Sequence, residues 1–241
     1  MTEAEAVSEA RRLLRSGGCH QITTPNAEFV MRARWDQPFR VVLNAAALSV
    51  PDGAGLLLAG RLLGTPLREQ VTGTDLAVRL AELCAAEGLR LFLLGAGEGV
   101  AAEAGRRLQM RFPGLEVAGA YAGSPGVDDE GAILGRIRAA GPVDVLLVAF
   151  GAPAQEMWIA RNLPRTGARL AMGVGGALDF IAGRVPRAPR WLRRVGFDWL
   201  YRLVRQPWRW RRQLALPQFV LAVLWEAARR RREATHAHRR A

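Results

Sequence analysis

Gly151-Ala152-Pro153-Ala154-Gln155-Glu156-Met157-Trp158, followed by Gly173-Val174-Gly175-Gly176-Ala177-Leu178-Asp179-Phe180-Ile181-Ala182-Gly183, decides how the rest of the chain reads. Each half follows a short, largely apolar run, residues 144–150 and 169–172. Such runs, bounded by Gly or Pro, have the pattern of buried strands rather than helices. A glycine cluster leaving the carboxyl end of a buried strand is where open α/β sheets place ligands. Glycine lets the backbone approach a phosphate or sugar because no Cβ intervenes. The plain alternative is a pair of tight strand-to-helix turns. The recurrence of strand-then-glycine, and the order Gln-Glu then Gly-Gly-x-x-Asp, favour the ligand reading.

Working outward, the same alternation continues. Residues 91–94 read as a parallel strand, and Gly95-Ala96-Gly97-Glu98-Gly99 opens a helix over 100–111. A strand over 117–121 and helices over 128–140 and 154–162 follow the pattern. Upstream, residues 2–15 form an amphipathic helix and 20–24 a strand, and Thr24-Pro25-Asn26 turns into a helix over 27–34. The apolar, partly β-branched segment 41–43 and residues 46–50 read as short strands before the Pro51-Asp52-Gly53 turn. Helices over 55–63 and 76–87 come next, the second led in by Val71-Thr72-Gly73-Thr74-Asp75 and closed by Gly88. Alternation from 20 to 183 predicts a mostly parallel sheet with helices on both faces. A boundary is expected near Gly183, dividing an α/β domain (1–183) from a basic, Trp-rich helical appendage (184–241).

The 241 residues are 50% hydrophobic, enough for one sizeable core. Every one of the 34 basic residues is Arg. Residues 183–241 hold 16 Arg against 3 acids, while residues 1–182 hold 18 against 19, so the tail carries the whole excess behind the net +12. A basic segment implies an anionic partner: nucleic acid, a phosphorylated substrate or an acidic membrane surface. Five of the seven Trp (191, 199, 208, 210 and 225) interleave with these arginines. Arg202, Arg205, Arg209 and Arg212 would share one face if a helix ran through Pro207. Trp and Arg on one face suit a bilayer interface and argue for lipid over nucleic acid; a merely solvated basic face is the alternative. Cys19 and Cys84 lie far apart, which implies a reduced compartment without a disulfide framework. Three histidines, two of them in the tail, speak against a zinc site or His-centred catalysis. No signal peptide is expected at residues 1–15, and no apolar run is long enough to span a bilayer.

Several local patterns carry chemistry or mimic it. The Gly95 cluster resembles a dinucleotide fingerprint but fails at Val100, where the third glycine should stand. A helix N-terminus there still suits a phosphate. Asp52 sits in an apolar loop at a sheet edge, as a general base would, although Asp-Gly is also an ordinary turn former. Asn26 doubles as a helix cap, and Glu156, in a first helical turn, as a dipole partner. Asp128-Asp129-Glu130 reads as a helix N-terminus rather than a metal motif.

The ordered set of these elements resembles the WecG/TagA/CpsF family of bacterial glycosyltransferases. The matching stretches are Thr24-Pro25-Asn26-Ala27-Glu28, Asp52-Gly53, Val71-Thr72-Gly73-Thr74-Asp75-Leu76, Gly95-Ala96-Gly97, Phe150-Gly151-Ala152-Pro153-Ala154-Gln155-Glu156, Gly173 to Phe180, Arg187-Ala188-Pro189 and Asp198-Trp199-Leu200-Tyr201-Arg202-Leu203. The resemblance covers roughly residues 20–212. It implies a Rossmann-like α/β fold with a C-terminal appendage. It also implies inverting transfer of N-acetylmannosamine, its uronic acid or a related sugar. The donor would be a UDP-sugar and the acceptor an undecaprenyl-diphosphate-linked saccharide, with no cofactor and no metal, at the cytoplasmic face of the membrane. By position, the general base falls on Asp52 and its polar pocket on Thr24, Asn26 and Gln155. Donor contacts are expected at Gly95, Gly97, Gly175, Gly176 and Asp179, and lipid-diphosphate contacts at Arg202, Arg209 and Arg212. An anionic membrane is the expected partner surface, nucleic acid is not, and the pattern leaves room for a homo-oligomer. Gln70 stands where such proteins usually carry an arginine, with Arg68 as the nearby substitute, and Gln206-Pro207 replaces a usual Glu-Pro. The rival reading is a non-catalytic α/β module that binds a nucleotide or an anionic polymer.

Overall fold

The computed structural model describes residues 1–189, 192, 198–205, 210 and 214–238, with backbone alone for 198, 199, 202 and 234–238. Six strands form one sheet: β1 (His20–Thr23), β2 (Leu48–Ser49), β3 (Arg90–Gly95), β4 (Glu116–Tyr121), β5 (Val145–Ala149) and β6 (Leu170–Gly173). Their order is β2-β1-β6-β5-β3-β4, and every pairing is parallel. The helices are α1 (Glu3–Arg15), α2 (Ala27–Ala33), α3 (Gln37–Ala45), α4 (Ala54–Leu62), α5 (Gly73–Glu87), α6 (Val100–Arg111), α7 (Glu130–Ala139), α8 (Ala154–Thr166), α9 (Ala177–Ile181), α10 (Asp198–Arg205) and α11 (Ala215–His238).

Successive side chains of a strand point to opposite faces, and the core divides accordingly. Leu91, Leu93, Leu147 and Met172 join Leu13, Leu76, Leu80 and Leu108 on the α1, α5 and α6 side. Phe92, Leu94, Leu146 and Val148 join Ile133, Ile137, Trp158 and Ile159 on the α7 and α8 side. Both faces are therefore covered, which is why the strands read as continuous apolar runs. Each fully buried side chain of this size contributes about 1.5–3 kcal/mol over its exposed state.

Two sequence readings are corrected. Residues 41–43 lie inside α3, not in a strand. Asp36 caps that helix through Oδ1, which accepts from the Phe39 N–H at 3.1 Å, and a proline occupies its first turn. Cap and proline outweigh the β-branched pair. The second strand is correspondingly reduced to Leu48–Ser49. Helix α8 runs on through Pro164 to Thr166, past the expected end at 162. Asp129 accepts from the Ser124 N–H at 2.7 Å, and Glu130, in the first turn of α7, pairs with Arg161.

Helix α11 packs back onto α2 and α4, burying Phe219 and Val223 against Ala27 and Ala59. The Arg230 Nη1 donates to the Leu63 carbonyl at 3.1 Å. Its outer face leaves Val220, Leu221, Leu224 and Trp225 exposed, Trp225 by 64%. Among the described residues, no helix is long and apolar enough to cross a membrane. Arg209 and Arg212 lie outside the described residues, and for Arg202 only the α10 backbone is described.

Candidate active site

Because all the strands are parallel, their carboxyl ends share one edge. That edge gathers Thr24 and Asn26 after β1, Asp52 after β2, Gly95 and Gly97 after β3, Gln155 after β5, and Gly175, Gly176 and Asp179 after β6. The chain leaves β3 toward β4 but leaves β5 toward β6, so the loops after these neighbours diverge. A crevice at such a switch point is the usual ligand position in an open α/β sheet.

On the β1–β2 side, backbone bonds draw three loops together. The Asp52 N–H donates to the Pro25 carbonyl at 2.8 Å, and the Val71 N–H to the Pro51 carbonyl at 2.9 Å. The Gly73 N–H, at the start of α5, donates to Asp52 Oδ2 at 3.1 Å. A carboxylate at a helix N-terminus is favoured in its ionised form by the helix dipole. A Cβ placed on Gly73 would lie 3.0 Å from Thr24 Oγ1 and 3.7 Å from Asp52 Oδ2. The Thr24 hydroxyl and the Asp52 carboxylate thus flank one backbone position. Asn26 is the N-cap of α2, its Oδ1 accepting from the Phe29 N–H at 3.0 Å, which leaves its amide N–H₂ to offer a ligand.

On the β5–β6 side, Gln155 is a clip. Its Oε1 accepts from the Gly151 N–H at 3.0 Å and from the Gly175 N–H at 2.9 Å, while its Nε2 donates to Glu156 Oε1 at 2.7 Å. Glu156 is 1% exposed, and burial pushes its carboxyl up to about 7. Gly173 makes room for the pair: a Cβ there would lie 2.5 Å from Glu156 Oε1 and 2.6 Å from Gln155 Nε2.

The two glycines of the β3 loop have different reasons. Gly95, at φ 98°, presses against β5, where a Cβ would come within 2.7 Å of the Ala149 carbonyl carbon. That contact accounts for glycine at 95 without a ligand. At Gly97 a Cβ would meet only Val100 Cγ2, at 3.5 Å, an ordinary contact that leaves the approach open. Asp179 lies in the first turn of α9, and its carbonyl accepts from the Arg184 N–H at 2.9 Å.

The arginine expected to substitute near Gln70 does something else. Arg68 Nη1 lies 2.7 Å from Glu5 Oε1 and its side chain is 70% exposed, so α1 claims it. The guanidinium that reaches the α5 N-terminus is Arg187, bidentate on Asp75 at 2.7 and 3.0 Å, while Asp75 also accepts from the Thr72 hydroxyl at 2.7 Å. Sequence reading gave Arg187 no role beyond its motif and took Glu156 only as a dipole partner of its helix. Among the described residues, no group of three or more His, Cys, Asp or Glu side chains is placed to hold a metal ion.

The chain is similar to known proteins over most of its length. The family model described as Glycosyl transferase WecG/TagA/CpsF matches residues 1–233. An N-acetylglucosaminyldiphosphoundecaprenol N-acetyl-beta-D-mannosaminyltransferase of Bacillus spizizenii is 36% identical over 203 residues, 84% of this chain and 78% of the relative. Enzymes of the same name from Bacillus subtilis and Staphylococcus aureus are 33% and 32% identical, over 85% and 84% of this chain and 79% and 78% of their own. With a family model spanning nearly the whole chain, and relatives 32–36% identical over more than four fifths of it, the protein belongs to the WecG/TagA/CpsF family of glycosyltransferases.

Proposed function

We propose that the protein is an inverting, metal-independent glycosyltransferase. It moves N-acetylmannosamine, its uronic acid or a related sugar from a UDP-sugar to an undecaprenyl-diphosphate-linked saccharide, in the building of a cell-surface polymer. The observation that carries this reading is the meeting of Thr24 and Asp52 at Gly73, on the ligand-binding edge of a sheet in a chain of this family. The relatives' names specify the acceptor as an N-acetylglucosaminyl-diphosphoundecaprenol and the transferred sugar as N-acetylmannosamine.

The chemistry follows from the positions. An acceptor hydroxyl must lose its proton as it attacks the anomeric carbon, and a carboxylate within hydrogen-bond reach takes it. Asp52, oriented through Oδ2 by the Gly73 N–H, is that base. Thr24, Asn26 and Gln155 line the polar pocket around it. The departing UDP gathers negative charge, which loop N–H groups near Gly97 and Gly176, together with arginines, stabilise, while the Gly175 N–H holds Gln155. Arg202, Arg209 and Arg212 are proposed to take the lipid diphosphate through guanidinium forks.

We assign catalysis to residues 1–183 and membrane attachment to 184–241, at the cytoplasmic face. The exposed Leu221, Leu224 and Trp225 of α11, followed by Arg229 to Arg232, support a peripheral mode of docking on an anionic leaflet. Incubation with UDP-sugars and a lipid-diphosphate acceptor tests the reaction. Acceptor-dependent UDP release that persists in EDTA is expected; UDP binding without release would favour the non-catalytic module instead. Sedimentation with anionic vesicles tests the docking, and a protein left in the supernatant at low salt would contradict it.

A further inference from the structure

We propose that Glu156 is a positioning residue: its carboxylate holds the Gln155 amide in the one orientation that ties the Gly151 and Gly175 loops together, and so sets the shape of the carboxyl-edge site without touching substrate. The inference deepens the proposed function and rests on that reading for its consequence, though not for its geometry.

The bonds leave Gln155 no second orientation. Two backbone N–H groups require its oxygen on one side, and Glu156 Oε1 requires its nitrogen on the other. A flipped amide would set N–H₂ against two donors and oxygen against a carboxylate. Gly173, at the end of β6, is bare where any Cβ would displace this pair. A third connection fixes the helix beneath, since Gln21 Nε2 of β1 donates to the Glu156 carbonyl at 3.2 Å.

A stability role alone does not explain a carboxyl here. Glu156 Oε2 is buried and has no hydrogen-bond partner among the described residues. A buried acid with an unsatisfied oxygen is unfavourable, and an apolar side chain of similar volume would serve packing better. What the acid adds is a strong acceptor for Gln155, since a hydrogen bond to an ionised group is about twice as strong as one between neutral groups.

The charged groups on the elements packed against α8 are engaged elsewhere. Arg40 of α3 bonds Gln37, Glu130 of α7 is bonded by Arg161 and Arg165, and Arg136 lies over the Tyr121 ring. His20 of β1 bonds Ser16 and the Gly17 carbonyl, Arg138 lies in the exposed last turn of α7, and β5 and β6 carry no charged residue. The shift to about 7 has burial as its leading cause, offset in part by the Gln155 bond. Loss of the negative charge should therefore loosen the clip as pH falls through about 7.

Amide hydrogen exchange at Gly151 and Gly175 is the direct test, because it needs neither substrate nor turnover. In Glu156→Gln, which keeps the shape and removes the charge, both amides should exchange about fivefold faster at pH 8, with melting temperature unchanged or raised. The wild-type rates, corrected for intrinsic exchange, should approach the variant's at pH 6. Glu156→Asp keeps the charge but withdraws it from Gln155, and should also speed both amides. UDP affinity should fall with the exchange protection; if wild type binds no UDP at all, the proposed function fails while the exchange result still stands. Unchanged protection of Gly151 and Gly175 in both variants would overturn the positioning role.

Discussion

At the amino edge of the sheet Asp144 accepts from Arg169 Nε and Nη2, at 3.1 and 2.5 Å, and from the Arg90 N–H at 2.7 Å. At the carboxyl edge Arg187 holds Asp75 in the same way, whereas Asp52 accepts from the Gly73 backbone N–H and Glu156 from the Gln155 side-chain amide. A guanidinium neutralises the carboxylate it holds, and the resulting ion pair closes the end of the sheet. An amide donor orients a carboxylate without itself neutralising it. Beside the guanidinium-held Asp75, the carboxyl edge thus carries two acids oriented by amide N–H groups, Asp52 proposed for chemistry and Glu156 for positioning.

The largest expected effect is on the packing that makes the carboxyl edge possible. Gly173→Ala drives a methyl group into Gln155 and Glu156 and should destabilise by about 3 kcal/mol, with UDP binding lost alongside. Chemical denaturation and calorimetry on the same sample would check both. A fully stable, UDP-binding Gly173→Ala protein would show that the clip is not held as described.

Next in size is a pH effect on stability. With its folded value raised from 4.5 to about 7, Glu156 keeps a proton that the unfolded chain has already released. Its stabilising contribution is complete below about pH 4.5 and is lost as pH rises through about 7, a change on the order of 3 kcal/mol. Glu156→Gln should flatten that part of the stability–pH curve. Denaturant midpoints between pH 5 and 8 measure it, and parallel curves for the two proteins would remove the distinction between the two kinds of acid.

Smaller again is the amino edge. Asp144→Asn removes the charge from its pair with Arg169 and should destabilise by about 1–2 kcal/mol, with turnover per folded molecule unchanged. A loss of turnover at constant stability would mean that the amino edge is not merely structural.

Much of this arrangement was legible in the sequence, for reasons that also mark where reading stopped. The strands at 91–94 and 144–150 announced themselves because both faces of the sheet are covered. Thr24, Asp52 and Gln155 could be placed at one edge because parallel strands put every strand-to-helix loop there. Residues 41–43 misled because the Asp36 cap and Pro38, not the β-branched pair, decide that segment. Arg68 was the natural substitute by proximity along the chain, yet α1 brings Glu5 to it. Arg187 reaches Asp75 across 112 positions, a distance no local pattern spans. Glu156 looked like a dipole partner because its burial depends on Gly173, a residue of another strand.

The most direct test of chemistry at the carboxyl edge is Asp52→Asn, measured as acceptor-dependent UDP release at saturating UDP-sugar. Asparagine can still accept from the Gly73 N–H, so the fold and UDP affinity should be kept. Turnover should fall by roughly a hundredfold or more, the scale of a lost general base. Turnover within a few-fold of wild type, at equal UDP affinity, would contradict the assignment of Asp52 as the base.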